Sequence, residues 1–208
     1  MKKLLLAVIV SLSTISTAAL AEIKVGIILG FTGPIESLTP AMRDGAKLAF
    51  QEASDSGNLL GGETFTILEA DSTCVDAAAA TAAAEGLVAD GVAAIMGADC
   101  SGVTKAINAS VAVPNGILMV SPSATSPALS KVPDAGTFWR TAPSDAKGGQ
   151  ILAQIALDRG LTSVAITYEN SDYGKGLSEV FAAAFAAGGG TVTTNDPHEN
   201  GKGDYSAE

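Results

Sequence analysis

Residues 91–113 read GVAAIMGADCSGVTKAINASVAV, and the fold turns on the change of pattern in the middle of this stretch. Residues 91–97 are an apolar run without alternation, the mark of a strand buried on both faces. Gly97, Asp99, Cys100 and Ser101 interrupt the run, and residues 101–113 then become helix-like. A buried strand leading straight into a helix is the repeating unit of a parallel α/β sheet. The corner also sets a thiol beside a hydroxyl. Four roles are open for that pair: nucleophile, metal ligand, half of a disulfide, or ligand-binding hydroxyl.

The same unit recurs outward in both directions. IKVGIIL (23–29) reads as a buried strand and GFTGP as a turn. A helix follows, with Thr39 as N-cap, Pro40 in its first turn, Gly57 closing it, and an apolar stripe of Met42, Ala46, Ala49, Phe50 and Ala53. ETFTILEAD (63–71) alternates like a strand, VDAAAATAAAEGLVAD (75–90) is an Ala-rich helix, and GILMVS (116–121) is a strand entering a loop rich in Ser, Thr and Pro. Beyond it come a short strand at 137–141, a helix at 144–160 capped by Ser144, a strand at 162–168, a helix at 171–189 and a strand at 191–195. GKGDYSAE at the end reads as the start of another helix. The expected fold is α/β: a parallel sheet with helices on both faces. In such a sheet every strand-to-helix loop falls on one edge, where ligands bind. The loops Gly30–Leu38, Gly97–Gly102 and Ser121–Pro127 should therefore converge.

The first residues, MKKLLLAVIVSLSTISTAALA, carry the basic start, short apolar core and small-x-small ending of a cleaved secretory signal. Residues 1–21 are read as that signal peptide, and the protein as exported to the periplasm. Net charge is −10, and because Lys2 and Lys3 belong to the leader the remainder is more acidic still. That balance argues against nucleic acid and anionic membranes as partners. Hydrophobic residues at 47% and charged residues at 16% point to a packed core. In an oxidising compartment the even cysteine count, Cys74 and Cys100, favours a disulfide.

Enzyme chemistry finds little support. DCSGV lacks both glycines of G-x-S-x-G. The single histidine, His198, lies in a polar stretch near the end. The cysteine and histidine spacings match no zinc site, and GFTGP is neither a dinucleotide fingerprint nor a P-loop. The reading therefore calls for no catalytic residue, no metal and no cofactor. Binding chemistry fares better. Ser101 at a helix start suits a ligand carboxylate, although helix capping alone also explains it. Ser123, Ala124 and Thr125 follow a strand directly, and their hydroxyls and carbonyls suit an ammonium group; ordinary turn chemistry is the alternative.

Taken in order, IKVGIILGFTGP, AMRDGAKLAFQEAS, ADSTCVDAAAA, GVAAIMGADCSG, GILMVSPSATSPAL, FWRTAPSDAKGGQ and YENSDYGKGLSEVF resemble the periplasmic solute-binding proteins of ABC importers, of the leucine/isoleucine/valine-binding type. The resemblance implies a two-lobed clamp of periplasmic-binding-protein type I architecture that closes on an amino acid. Ser101 matches the family's carboxylate-binding serine, Ser123 and Thr125 the loop that grips ammonium and carboxylate (Ala124 between them), and Tyr173 the tyrosine offered by the second lobe. RTAPS would make the first crossing between lobes. This gives an N-terminal lobe over 22–141 and a partial second lobe over 142–208. Leu38 stands where many amino-acid binders of the family carry an aromatic residue. The chain also stops inside the second lobe, so it reads as a fragment of a longer protein. Within this frame Cys100 is expected to pair with Cys74 and hold Ser101 at the cleft. The expected function is binding of a branched-chain amino acid or related solute, as a monomer, for delivery to a membrane permease. A sensor of the same fold is the alternative and a small-molecule hydrolase the third reading.

Overall fold

The computed structural model describes residues 22–206, and the expected signal peptide, residues 1–21, lies outside them. Strands and helices alternate in the expected order. The first sheet contains β1 (Glu22–Leu29), β2 (Thr64–Asp71), β3 (Ala94–Gly97), β4 (Leu118–Ser121) and β5 (Phe138–Arg140), all parallel, in the spatial order β2-β1-β3-β4-β5. β1 lies inside this sheet, between β2 and β3. That position explains its unbroken apolar run, since both faces of a central parallel strand are covered; Val25 and Ile27–Leu29 are buried.

The helices between these strands are α1 (Thr39–Asp55), α2 (Ala77–Ala89) and α3 (Ser101–Ile107). α2 is capped by Asp76, whose carboxylate accepts from the amides of Ala78 and Ala79. Its small residues let it lie close to the sheet, with Ala80, Ala84 and Leu87 buried. Two local expectations are corrected. The N-cap of α1 is Leu38, and Thr39 turns inward to donate to the carbonyls of Gly30 and Glu36. The helix expected over 101–113 continues after α3 as a π-turn at Asn108–Ala112 and a final turn, α4 (Val113–Asn115), which ends on Gly116 in the left-handed region.

Helix α5 (Asp145–Asp158), capped by the Ser144 hydroxyl, leads into a second sheet. It holds two parallel strands, β6 (Ser163–Glu169) and β7 (Thr191–His198), joined by α6 (Asp172–Ala187). The expected boundary at 141/142 falls between β5 and α5. Residues 201–206 form turns and bends rather than the helix start expected from 201 onward. No helix among the described residues is long and apolar enough to cross a membrane.

The two faces of the first sheet differ. Ile95, Met119 and Phe138 are in register and buried against α2 and α3. The alternate row, Met96, Val120 and Trp139, points the other way, and Trp139 is 63% exposed. A cavity of about 220 Å³ lies on that side, lined by Phe50 of α1, Met96, Val120 and Thr141. In the second sheet a groove of about 500 Å³ runs along β6 between Leu152 of α5 and Tyr173, Leu177 and Phe181 of α6.

Candidate functional site

The loops after β1 and β3 converge as expected, joined by the loop after β2, and the tie is Asp99. Its carboxylate is buried and accepts from the Gly30 amide at 2.6 Å, the Ser72 hydroxyl at 3.1 Å and the Cys100 amide at 2.9 Å. One side chain thus fixes the carboxyl ends of β1, β2 and β3 together. Hydrogen bonds to a charged acceptor are among the stronger ones, and a buried carboxylate needs them. Gly97 makes the corner possible. Its φ of +135° favours glycine, and a Cβ there would run into the Ile28 carbonyl oxygen.

Cys74 and Cys100 form the expected disulfide, with Cα atoms 5.2 Å apart. It clips the β2–α2 loop to the residue that caps α3. Thr73 and Cys74 both adopt positive φ (57° and 68°), an uncommon conformation for residues with a Cβ. Asp71 supports that turn by accepting from the Thr73 and Thr32 amides and the Thr32 hydroxyl. Burial works against its charge, but these hydrogen bonds outweigh it and hold the Asp71 carboxyl below its ordinary pKa.

The loop after β4 docks on this corner. The Ser121 hydroxyl donates to the Ala98 carbonyl, the Ser123 hydroxyl to the Asp99 carbonyl at 3.1 Å, and the Ser126 amide to the Ser101 hydroxyl at 3.1 Å. Ser101 opens α3 but does not cap it; its oxygen holds the neighbouring loop, which leaves its own O–H to donate. Ser123 spends its proton inside the protein. Both backbone groups of Ala124 are engaged, the amide by the Ser121 hydroxyl and the carbonyl by Arg140 Nη1. Among the described residues the Thr125 hydroxyl has no hydrogen-bond partner, while its carbonyl accepts from the Asp145 amide at 3.0 Å.

That last bond brings in the second lobe. Asp145 opens α5, and its Oδ2 is buried without a hydrogen-bond partner. Tyr173, on the first turn of α6, feels the same carboxylate. Burial, with the charges of Asp145 and Glu169, raises the Tyr173 phenol pKa, so the hydroxyl stays a donor well into alkaline pH. Arg140 is pulled down by burial, offset in part by Asp145; it donates to the carbonyls of Ala124 and Ser126 and shapes the loop. From the sequence alone Asp99 has no role beyond interrupting the apolar run, and Asp145 and Arg140 have none. Asp99 sits inside the quoted corner, and Asp145 follows the Ser144 cap, where an acidic residue is ordinary helix chemistry.

Around this bond Asp145 keeps an unpartnered carboxylate oxygen and Tyr173 a phenol that stays protonated. Among the described residues no group of three or more His, Cys, Asp or Glu is placed to hold a metal.

Comparison with known proteins agrees with this architecture. A family model described as "periplasmic binding protein" matches residues 22–208. A Leu/Ile/Val-binding protein of Rhizobium johnstonii is 32% identical over 206 residues, covering 99% of this chain and 55% of that protein. The leucine-specific-binding protein of Salmonella typhimurium is 29% identical over 206 residues, again covering 99% and 55%. Among solved structures, a leucine-binding protein of Thermotoga maritima superposes with a TM-score of 0.76 at 27% identity, covering 89% of this chain and 51% of that one. A branched-chain amino acid transporter substrate-binding protein of Streptococcus pneumoniae, in complex with isoleucine, gives 0.77 at 26% identity, covering 90% and 52%. The chain spans about half the length of the curated relatives it matches.

Proposed function

The chain belongs to the periplasmic binding protein family, and from that membership we propose that it binds an amino acid of the branched-chain type where its two lobes meet. The observation that carries this reading is the Asp145 amide bonded to Thr125 across the junction, with a buried, unpartnered Asp145 oxygen whose charge reaches Tyr173. Asp145 accepts the ligand ammonium; Thr125, Tyr173 and Ser101 donate to its carboxylate. Ser123 and Ala124 hold the loop. A neutral ligand side chain suits a site whose charges are spent on the zwitterion, and the branched-chain ligands named for its relatives fit that demand.

The protein acts as a monomeric, exported binder that hands its ligand to the permease of an ABC importer. A binding role rather than a catalytic one is supported by the disulfide that joins the two cysteines and by the hydrogen bond between His198 and Thr167. Calorimetric titration with L-leucine, L-isoleucine and L-valine, against D-leucine and benzoate, tests the reading. Saturable binding of the L-amino acids alone supports it; tighter binding of benzoate, or no discrimination between enantiomers, overturns it.

A further inference from the structure

The first turns of α6 meet the first lobe along a narrow seam. Asp172 Oδ2 lies 3.2 Å from Lys105 Nζ of α3. One turn later Gly176 faces the loop after β4: a Cβ on it would stand 2.9 Å from both Pro127 Cδ and Ser126 Oγ. Gly102 of α3 adds an ordinary contact, since its own Cβ would lie 4.0 Å from that of Asp172. Asp172 and Gly176 lie one turn apart on the same helix face. Tyr173 sits beside that face, on the side that with Leu177 and Phe181 lines the 500 Å³ groove.

The loop side of this seam is rigid. Ser126 is buried, its amide donates to Ser101, its carbonyl accepts from Arg140 at 2.9 Å, and Pro127 follows it. Pro127 Cδ is held by its ring and cannot turn aside, and Ser126 Oγ turns away only by giving up its bond from the Ala128 amide, so an added methyl at 176 pushes against α6 and its lobe. Resting on the binding reading above, we propose that Gly176, with Lys105 and Asp172, sets the separation of the lobes and so positions Tyr173 against Thr125 and Asp145 for the ligand. The glycine is the stronger determinant. The ion pair is half-exposed and pairs of that kind contribute little, whereas a Cβ at 176 would stand closer to Pro127 Cδ than carbon atoms pack, so the seam must shift to admit it.

The test separates positioning from folding because alanine is a better helix former than glycine. Gly176→Ala should therefore keep or raise thermal stability while weakening L-leucine binding about fivefold, and Gly176→Leu should weaken it more than twentyfold. Asp172→Asn should cost no more than about threefold. A ligand-free readout runs beside it: carbodiimide cross-linking of Lys105 to Asp172, followed by peptide mass spectrometry. The cross-link should form in the unsubstituted chain, vanish in Asp172→Asn and fall severalfold in Gly176→Leu. An undiminished cross-link in Gly176→Leu overturns the seam whatever the ligand results. Failure of the unsubstituted chain to bind L-leucine, with the cross-link falling as described, overturns the binding reading and leaves the seam standing.

Discussion

Replacing Asp99 with Asn removes the charge from the junction of three loops while nearly preserving shape. The carboxylate takes one proton from Gly30, one from Ser72 and one from Cys100. An amide has one acceptor oxygen and two donors. If its oxygen faces Gly30, its NH2 meets the Cys100 N–H; if flipped, it meets the Gly30 N–H. Ser72 can rotate to accept, but one buried backbone amide is stranded in either orientation. A hydrogen bond to a charged group is worth roughly 1.5–3 kcal/mol and a stranded group costs a similar amount. Against this, the neutral amide escapes the desolvation cost of a buried charge. The expected net loss is about 2–3 kcal/mol, and Asp99→Ala should lose about 4. Urea denaturation gives the comparison through the shift of midpoint at constant slope. The same variant should also weaken L-leucine binding, because Ser101 follows the residue whose amide is released. Stability of Asp99→Asn within about 0.5 kcal/mol of the unsubstituted protein, the range of ordinary surface changes, would refute the assignment of Asp99 as the tie.

Reduction of the disulfide should destabilise the protein by roughly 3.5 kcal/mol on the loop-entropy account, measured as a loss of urea midpoint with and without reductant. Thiol labelling of the denatured, unreduced protein should find no free cysteine among Cys74 and Cys100. Asp71, whose pKa is lowered by folding, contributes stability that is complete above the ordinary carboxylate pKa of about 4 and lost as pH falls through its folded value; Asp71→Asn should flatten the acid limb of a stability–pH curve. Thr125→Ala and Tyr173→Phe should each weaken L-leucine binding about tenfold while the fold is kept, and Asp145→Asn by more, since it removes the ammonium's counter-charge; calorimetry reads all three.

What the sequence reveals is what periodicity encodes. β1 and β3 are read correctly because a central parallel strand is apolar throughout, and the loop convergence follows from parallel topology rather than from any motif. Helix details are less legible. Thr39 has the chemistry of an N-cap, but the pull of the Gly30 and Glu36 carbonyls turns it inward. The π-turn at Asn108–Ala112 has no composition signal, since its residues, NASVA, are of types that ordinary helices also contain. The proposed site is partly legible for the same reason. Ser101 and Thr125 lie where a strand ends, which the pattern marks. Asp99 and Asp145 act through partners far off in sequence: the Gly30 amide is 69 residues from Asp99. Nor does local sequence say that the Ser123 proton is spent on Asp99, because that bond exists only once two loops have met.

Hydrogen exchange read by mass spectrometry, with and without saturating L-leucine, tests the central claim most directly. Binding at the lobe junction predicts new protection confined to residues 97–102, 121–127, 144–148 and 172–176. Protection instead around Phe50, Met96 and Val120, or no ligand-dependent protection at all, would contradict it.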